Sequence, residues 1–90
     1  MADILITYDV SDKNKEMKVA LKALGYMDNW KSNEQTYYLP NTTMWKKDTT
    51  VSQGIEDMQA CSKKLQITLE RAIAVPSSPW SGIPGMPHKS

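Results

Sequence analysis

The chain opens with a short apolar run, Ile4-Leu5-Ile6, that passes through Thr7-Tyr8-Asp9-Val10 and stops at Ser11-Asp12. Its β-branched content and its break predict a buried strand over residues 3–10, with Asp9 at its mouth. Behind it, Met17, Ala20, Leu21 and Leu24 recur at i, i+3, i+4 and i+7, one apolar stripe of a helix. Ser11 or Asp12 is placed to cap that helix, and Gly25 to end it in the left-handed conformation. A second helix starts at Thr50-Val51-Ser52-Gln53, a capping-box pattern in which the hydroxyl caps the first turn and the Gln reaches back. Val51, Ile55, Met58, Cys61 or Ser62, and Leu65 then keep helical spacing. A last strand runs from Ile67 to Val75, with Ile67, Leu69, Ile73 and Val75 on one face, interrupted by Arg71, and Thr68, Glu70, Ala72 and Ala74 on the other.

The middle of the chain reads two ways. Gln35 to Leu39 is a strand by β-propensity, with Met27 to Ser32 as a hairpin partner turning at Ser32-Asn33. Thr42 to Lys47 is an equal strand candidate after the break at Pro40-Asn41. With a hairpin in the middle, the order is βαββαβ, the ferredoxin-like α+β arrangement: an antiparallel sheet with two helices on one face. From Pro76 the composition changes. Four prolines, two glycines and several serines make residues 76–90 a tail unsuited to a central strand and without a fixed fold. The folding unit is residues 1–75, a size that supports a modest core and makes dimerisation a natural source of stability.

Charge and cysteine content narrow the classes. The formal net charge of the 90 residues is +1, far from the strongly basic balance of a domain that holds nucleic acid by charge alone. A local basic face remains open. The single cysteine, Cys61, excludes an internal disulfide, and no Cys/His cluster has metal-ligand spacing. The opening Met-Ala-Asp lacks the basic and apolar regions of a secretory signal, and no apolar run approaches a membrane span. A cytoplasmic protein with no membrane segment is the expectation.

Each candidate residue carries a functional and a structural reading. Asp9, at the end of a buried strand, is placed to hold a hard cation such as Mg²⁺ and to activate water near a phosphate. Asp12 adds a second oxygen or simply caps the helix. One carboxylate is too few for a tight metal site, and a two-fold dimer joining two copies of Asp9 supplies another. Structurally, Asp9 ends the strand and accepts backbone hydrogen bonds. Lys15, Lys18 and Lys22 lie along one side of the first helix, either tracking phosphates or forming a solvated face. Trp30, Tyr37, Tyr38 and Trp45 surround the middle hairpin. They are surfaces for base stacking or, in a chain without Phe, the material of core and interface. Cys61 sits on the apolar side of the second helix with no His to activate it, because His88, the only one, is in the tail. Trp80, inside Ser78-Pro79-Trp80-Ser81-Gly82, either anchors a protein partner in extended form, folds back on its own domain, or is loose.

The stretch Leu5-Ile6-Thr7-Tyr8-Asp9-Val10 resembles the first strand of the CRISPR-associated Cas-two family, whose small ferredoxin-like fold the virulence-associated protein D toxins share. In such chains a strand ending Tyr-Asp leads into a helix, then a Gly, then a strand with a Gln near its start. Tyr8-Asp9, Gly25 and Gln35-Thr36-Tyr37-Tyr38-Leu39 follow that order. The resemblance implies a homodimer with Asp9 of each protomer near the two-fold axis. It implies either Mg²⁺-dependent phosphodiester cleavage of RNA or DNA, as in an endoribonuclease, or nucleic-acid binding without chemistry. The chain departs from the pattern in having a single arginine, Arg71, a longer middle segment rich in Asn and Thr, and a Pro/Gly tail in place of a further strand. Outside the resemblance, a protein-interaction or regulatory module of the same fold is the alternative.

Overall fold

A computed structural model describes residues 2–32, 34–40 and 42–77. The elements are β1 (Ala2–Val10), α1 (Asn14–Ala23), β2 (Asn29–Ser32), β3 (Gln35–Tyr38), β4 (Thr43–Thr49), α2 (Val51–Leu65) and β5 (Leu69–Pro76). The chain is α+β. β1 is the centre of a three-stranded sheet, flanked by β4 and β5 and antiparallel to both. The two readings of the middle segment are both realised: β2 and β3 form a hairpin of their own, and β4 is a separate strand. The hairpin does not join the three-stranded sheet as a unit. Contact with β4 is made two residues before β2, where Met27 and Trp45 exchange both backbone hydrogen bonds at 2.8 and 3.0 Å. Asn33, where the sequence reading placed the turn, lies outside the described residues, as does the tail from residue 78.

Alternation along β1 separates two faces. Ile4, Ile6, Tyr8 and Val10 are buried, and they share one cluster with Met17 and Leu21 of α1 and Met58 and Cys61 of α2. Both helices therefore cover the same face. Burying a side chain such as Leu21 or Met58 stabilises the fold by roughly 1.5–3 kcal/mol. The other face carries Leu5, Thr7 and Asp9, opposite Val75, Ile73 and Arg71 on β5. Among the described residues no helix covers it, and Ile73 is 54% and Val75 38% exposed.

The period-2 pattern of the last strand holds only in part. Asp9 pairs with Arg71, but Val10 pairs with Leu69, so Glu70 is an extra residue, a bulge. A one-residue slip exchanges the faces. Leu69 and Ile67 turn to the core, whereas Ile73 and Val75 lie on the open face. Ala74 pairs with the buried Ile6 and so faces the helices, where α2 comes close. A Cβ added at Gly54 would stand 2.7 Å from Ile4 Cδ1 and 3.3 Å from Ala74 Cβ. Pro76 ends an edge strand, where a missing N–H is tolerated.

The helix ends differ in how far sequence foretold them. Gly25 has φ +98°, and the hydrogen bonds Gly25 N–H to Lys22 O and Tyr26 N–H to Leu21 O close a Schellman motif over the buried pair Leu21 and Tyr26. Gln66 ends α2 by the same two-bond pattern at φ 58°, in a conformation that favours glycine. Thr50 caps α2, its hydroxyl accepting from Gln53 N–H at 3.0 Å. The Gln53 side chain donates its amide N–H to Asp57 at 2.9 Å, one turn further along the helix. Neither Ser11 nor Asp12 caps α1. The cap position is Lys13, left-handed at φ 56° with no side-chain cap, and Ser11 Oγ accepts from Thr68 N–H instead.

Candidate functional site

Asp9 stands at the end of β1 on the open face. Its carboxylate accepts a 2.8 Å hydrogen bond from Arg71 Nε, directly across the β1–β5 ladder, and both side chains are at least half exposed. The carboxylate in turn holds Arg71 above its ordinary range, by hydrogen bond first and by charge second. A shallow hollow of about 250 Å³ forms beside the pair, lined by Thr7, Tyr8, Ala72 and Ile73. Asp12 points elsewhere, accepting from Lys13 N–H at 2.8 Å. Among the described residues no three His, Cys, Asp or Glu side chains gather to hold a metal ion. One chain by itself thus offers a Mg²⁺ ion at Asp9 a single carboxylate already bonded to a guanidinium, a donor set that does not fit the ion.

The lysine stripe of α1 is divided. Lys22 Nζ lies 3.2 Å and Lys18 Nζ 3.7 Å from Asp28, in the segment between α1 and the hairpin. Burial pushes Asp28 upward, but hydrogen bonds from Asn29 and Lys22 and the charges of Lys22 and Lys18 outweigh it and hold the carboxyl below its ordinary range. These two lysines therefore fasten the entry to the hairpin. Lys15 is exposed on the same helix.

The aromatic residues converge. Trp45 of β4 is 7% exposed, and its indole N–H donates to Asn29 O at 2.6 Å. Trp30 of β2 meets it edge to face, ring centres 5.3 Å apart at 77°. Tyr37 sits opposite Trp30 in the hairpin and Tyr38 opposite Asn29. Beside the two indoles opens a pocket of about 500 Å³, lined by Met27, Lys31, Lys47, Asp3 and Ser77 as well. Lys47 Nζ lies 5.8 Å from the Trp45 ring centre, a cation–π distance. The pocket joins aromatic surface to two exposed ammonium groups, chemistry that suits a flat ring next to a negative charge. The sequence carried a signal for it that α1 obscured: both tryptophans are followed by lysine, in Trp30-Lys31 and Trp45-Lys46-Lys47.

The remaining titratable groups on the helix side are structural. Tyr26 donates to Asp57 at 2.8 Å, and burial, then that bond, push its phenol upward. Tyr8 is raised to about 12, chiefly by burial and next by Cys61. The Cys61 thiol is itself pushed up by burial, then by the charge of Asp57, the opposite of what activates a nucleophile. His88 and Trp80 lie outside the described residues. No helix among the described residues is long and apolar enough to cross a membrane.

Comparison of the chain with protein-family models, with curated proteins and with solved structures finds no match.

Proposed function

We propose that this chain is a small ferredoxin-like domain that binds single-stranded nucleic acid, with the Trp30/Trp45 pocket taking a base and Lys31 and Lys47 meeting the adjacent phosphates. The observation that carries the reading is the convergence of two indoles and two exposed ammonium groups on one pocket. Bases of any sequence stack on aromatic side chains, and such stacking contributes about 1–3 kcal/mol per base. A near-neutral chain can still bind through a local basic site of this kind. For the fold, support comes from the position of β1 between β5 and β4 and from the Met27–Trp45 bridge. That bridge stands where the second strand of a βαββαβ sheet would pair, with the β2–β3 hairpin as an addition to it.

The test is fluorescence anisotropy with labelled single-stranded RNA and DNA and with duplex controls, across a salt series. Trp30→Ala is expected to weaken single-strand binding at least about five-fold. Lys31→Ala combined with Lys47→Ala is expected to flatten the salt dependence by roughly 1.4 in logarithmic slope, about 0.7 per phosphate contact. Absence of binding at low salt, or binding unaltered by these variants, would overturn the reading.

A second reading is Mg²⁺-dependent cleavage by a homodimer that brings two Asp9 carboxylates together. It is favoured by the uncovered face around Asp9, where Ile73 and Val75 are exposed and a second copy would bury them. It requires Asp9 to share or leave Arg71. Light scattering for the dimer, and an RNA and DNA cleavage assay with Mg²⁺ beside Asp9→Ala, decide it: a monomer, or cleavage that survives the substitution, removes Asp9 from any mechanism.

A further inference from the structure

Among the described residues that line the pocket beside Trp30 and Trp45, Asp3 alone carries a carboxylate. Its backbone is tied to β5: the Asp3 carbonyl accepts from Ser77 N–H at 3.0 Å and from the Ser77 hydroxyl at 3.2 Å. Its side chain is tied to β4. Ile4 pairs with Lys46 and Ala2 with Thr49, so β4 carries one residue more than β1 between the two pairs, a bulge. Asp48 stands in that bulge in the left-handed region at φ 53°, and its N–H donates to Asp3 Oδ1 at 3.2 Å. Few residues other than glycine adopt such a φ. Bulges recur beside functional sites, where they re-aim a side chain.

Elsewhere on this chain, opposite charges that share a surface are paired, Asp9 with Arg71 and Asp28 with Lys18 and Lys22. Asp3 shares the pocket with Lys31 and Lys47, yet among the described residues no ion pair joins it to either. Nor does a described donor meet Oδ2. Each carboxylate oxygen accepts at two positions, so Asp3 keeps acceptor sites on both oxygens. Beside two lysines suited to phosphate, a carboxylate without a partner repels an anionic ligand. A ligand that brings N–H donors to that place replaces the repulsion with charge-assisted hydrogen bonds.

We propose, resting on the nucleic-acid reading above, that Asp3 makes this pocket select guanine. Guanine alone among the common bases presents two adjacent N–H donors on its pairing edge, at N1 and N2, which a carboxylate receives side by side. Adenine and cytosine each place a ring acceptor next to their amino group, and uracil flanks its N–H with two carbonyls. Those acceptors face the Asp3 oxygens with like charge. The two indoles meet at 77°, so a flat base stacks on one ring only. Trp30 is half-buried and Trp45 buried, so Trp30 offers the larger face. Stacking there is blind to sequence. Asp3 adds the discrimination that stacking lacks.

The test is fluorescence anisotropy with short labelled uridine oligonucleotides, each with one guanosine, inosine, adenosine or cytidine at its centre. Guanosine is expected to bind at least about five-fold tighter than adenosine or cytidine, the lower end of what a good bidentate pair contributes. Inosine, which keeps N1–H and lacks the 2-amino group, is expected to fall between them. This series tests the selection on the unaltered chain. Asp3→Asn keeps an oxygen for Asp48 N–H and puts an amide donor where Oδ2 stands. It is expected to weaken guanosine binding and to strengthen adenosine and cytidine binding, a change of opposite sign. A purely structural Asp3 would instead lower binding of every oligonucleotide in proportion, and that result would overturn the proposal. Equal binding of the whole series by the unaltered chain would overturn it too, with the binding reading left standing. No binding of any oligonucleotide at low salt would defeat the binding reading, and the selection with it.

Discussion

Asp9 and Arg71 face each other across the β1–β5 ladder, carboxylate oxygen to Nε at 2.8 Å, on the sheet face that no helix of the described chain covers. The residue with the sharpest catalytic promise in the sequence is therefore half of an exposed ion pair. Exposed pairs are screened by water and salt, and many contribute nothing measurable to stability. Arg71→Ala and Asp9→Ala are each expected to leave the urea midpoint within replicate scatter. A clear drop for both would mean that the pair is buried in solution, as it would be beneath a second copy of the chain.

Gly54 sets the distance between α2 and the sheet. A methyl group there meets Ile4 Cδ1 at 2.7 Å and Ile6 Cγ2 at 3.2 Å. Overpacking of this kind costs about 1–3 kcal/mol, against a gain near 1 kcal/mol from replacing a helical glycine by alanine. Gly54→Ala is expected to destabilise by about 1 kcal/mol in urea unfolding, and Gly54→Val by more. Ile4→Val removes the closest methyl, so the double variant Ile4→Val/Gly54→Ala should lose less than the sum of the two single losses. Additive losses would mean that the contact is relieved by backbone movement instead.

Gln66 ends α2 at φ 58° with its N–H bonded to Lys63 O. A non-glycine residue is strained in that region. Gln66→Gly is expected to raise stability by about 0.5–1 kcal/mol, read as a higher midpoint at unchanged denaturant slope. Loss of stability would show that the Gln side chain has a stabilising contact of its own.

Asp28 ties α1 to the hairpin through Lys22 and Lys18, and its carboxyl lies below the ordinary range in the folded chain. A depressed folded-state value means that the unfolded chain takes up the proton first as pH falls. The stabilisation is full above the unfolded value of about 4 and is lost as pH drops through the folded value. Asp28→Asn is expected to lose stability at pH 7 and to flatten the decline of stability below about pH 4 relative to the parent chain. Identical acid profiles for the two chains would show that the lysines do not act through Asp28.

The pattern of residues was sufficient for the local elements. Strand alternation in Ile4, Ile6, Tyr8 and Val10, the stripe through Met17 and Leu21, the hydroxyl of Thr50 and the glycine at position 25 are decided within a few residues of chain, by backbone preference and by which side chains avoid water. The helical spacing by itself also put Cys61 on the apolar side of α2, where it is buried. What the tertiary structure decided are the relations between distant segments. A single bulged residue, Glu70, turned Ile73 and Val75 away from the core, because pleat parity is kept only where the register is unbroken. The close approach of α2 to Ile4, Ile6 and Ala74 left room for glycine alone at position 54 without a shift. Asp28 took up Lys18 and Lys22, and Arg71 took up Asp9, because opposite charges brought together by folding pair before they meet any ligand. The pocket at Trp30 and Trp45 joins β2 to β4 across fifteen residues of chain, and adds Asp3 and Ser77 from the two ends of the described fold. Contacts at such separations depend on topology and register, to which local preference is blind.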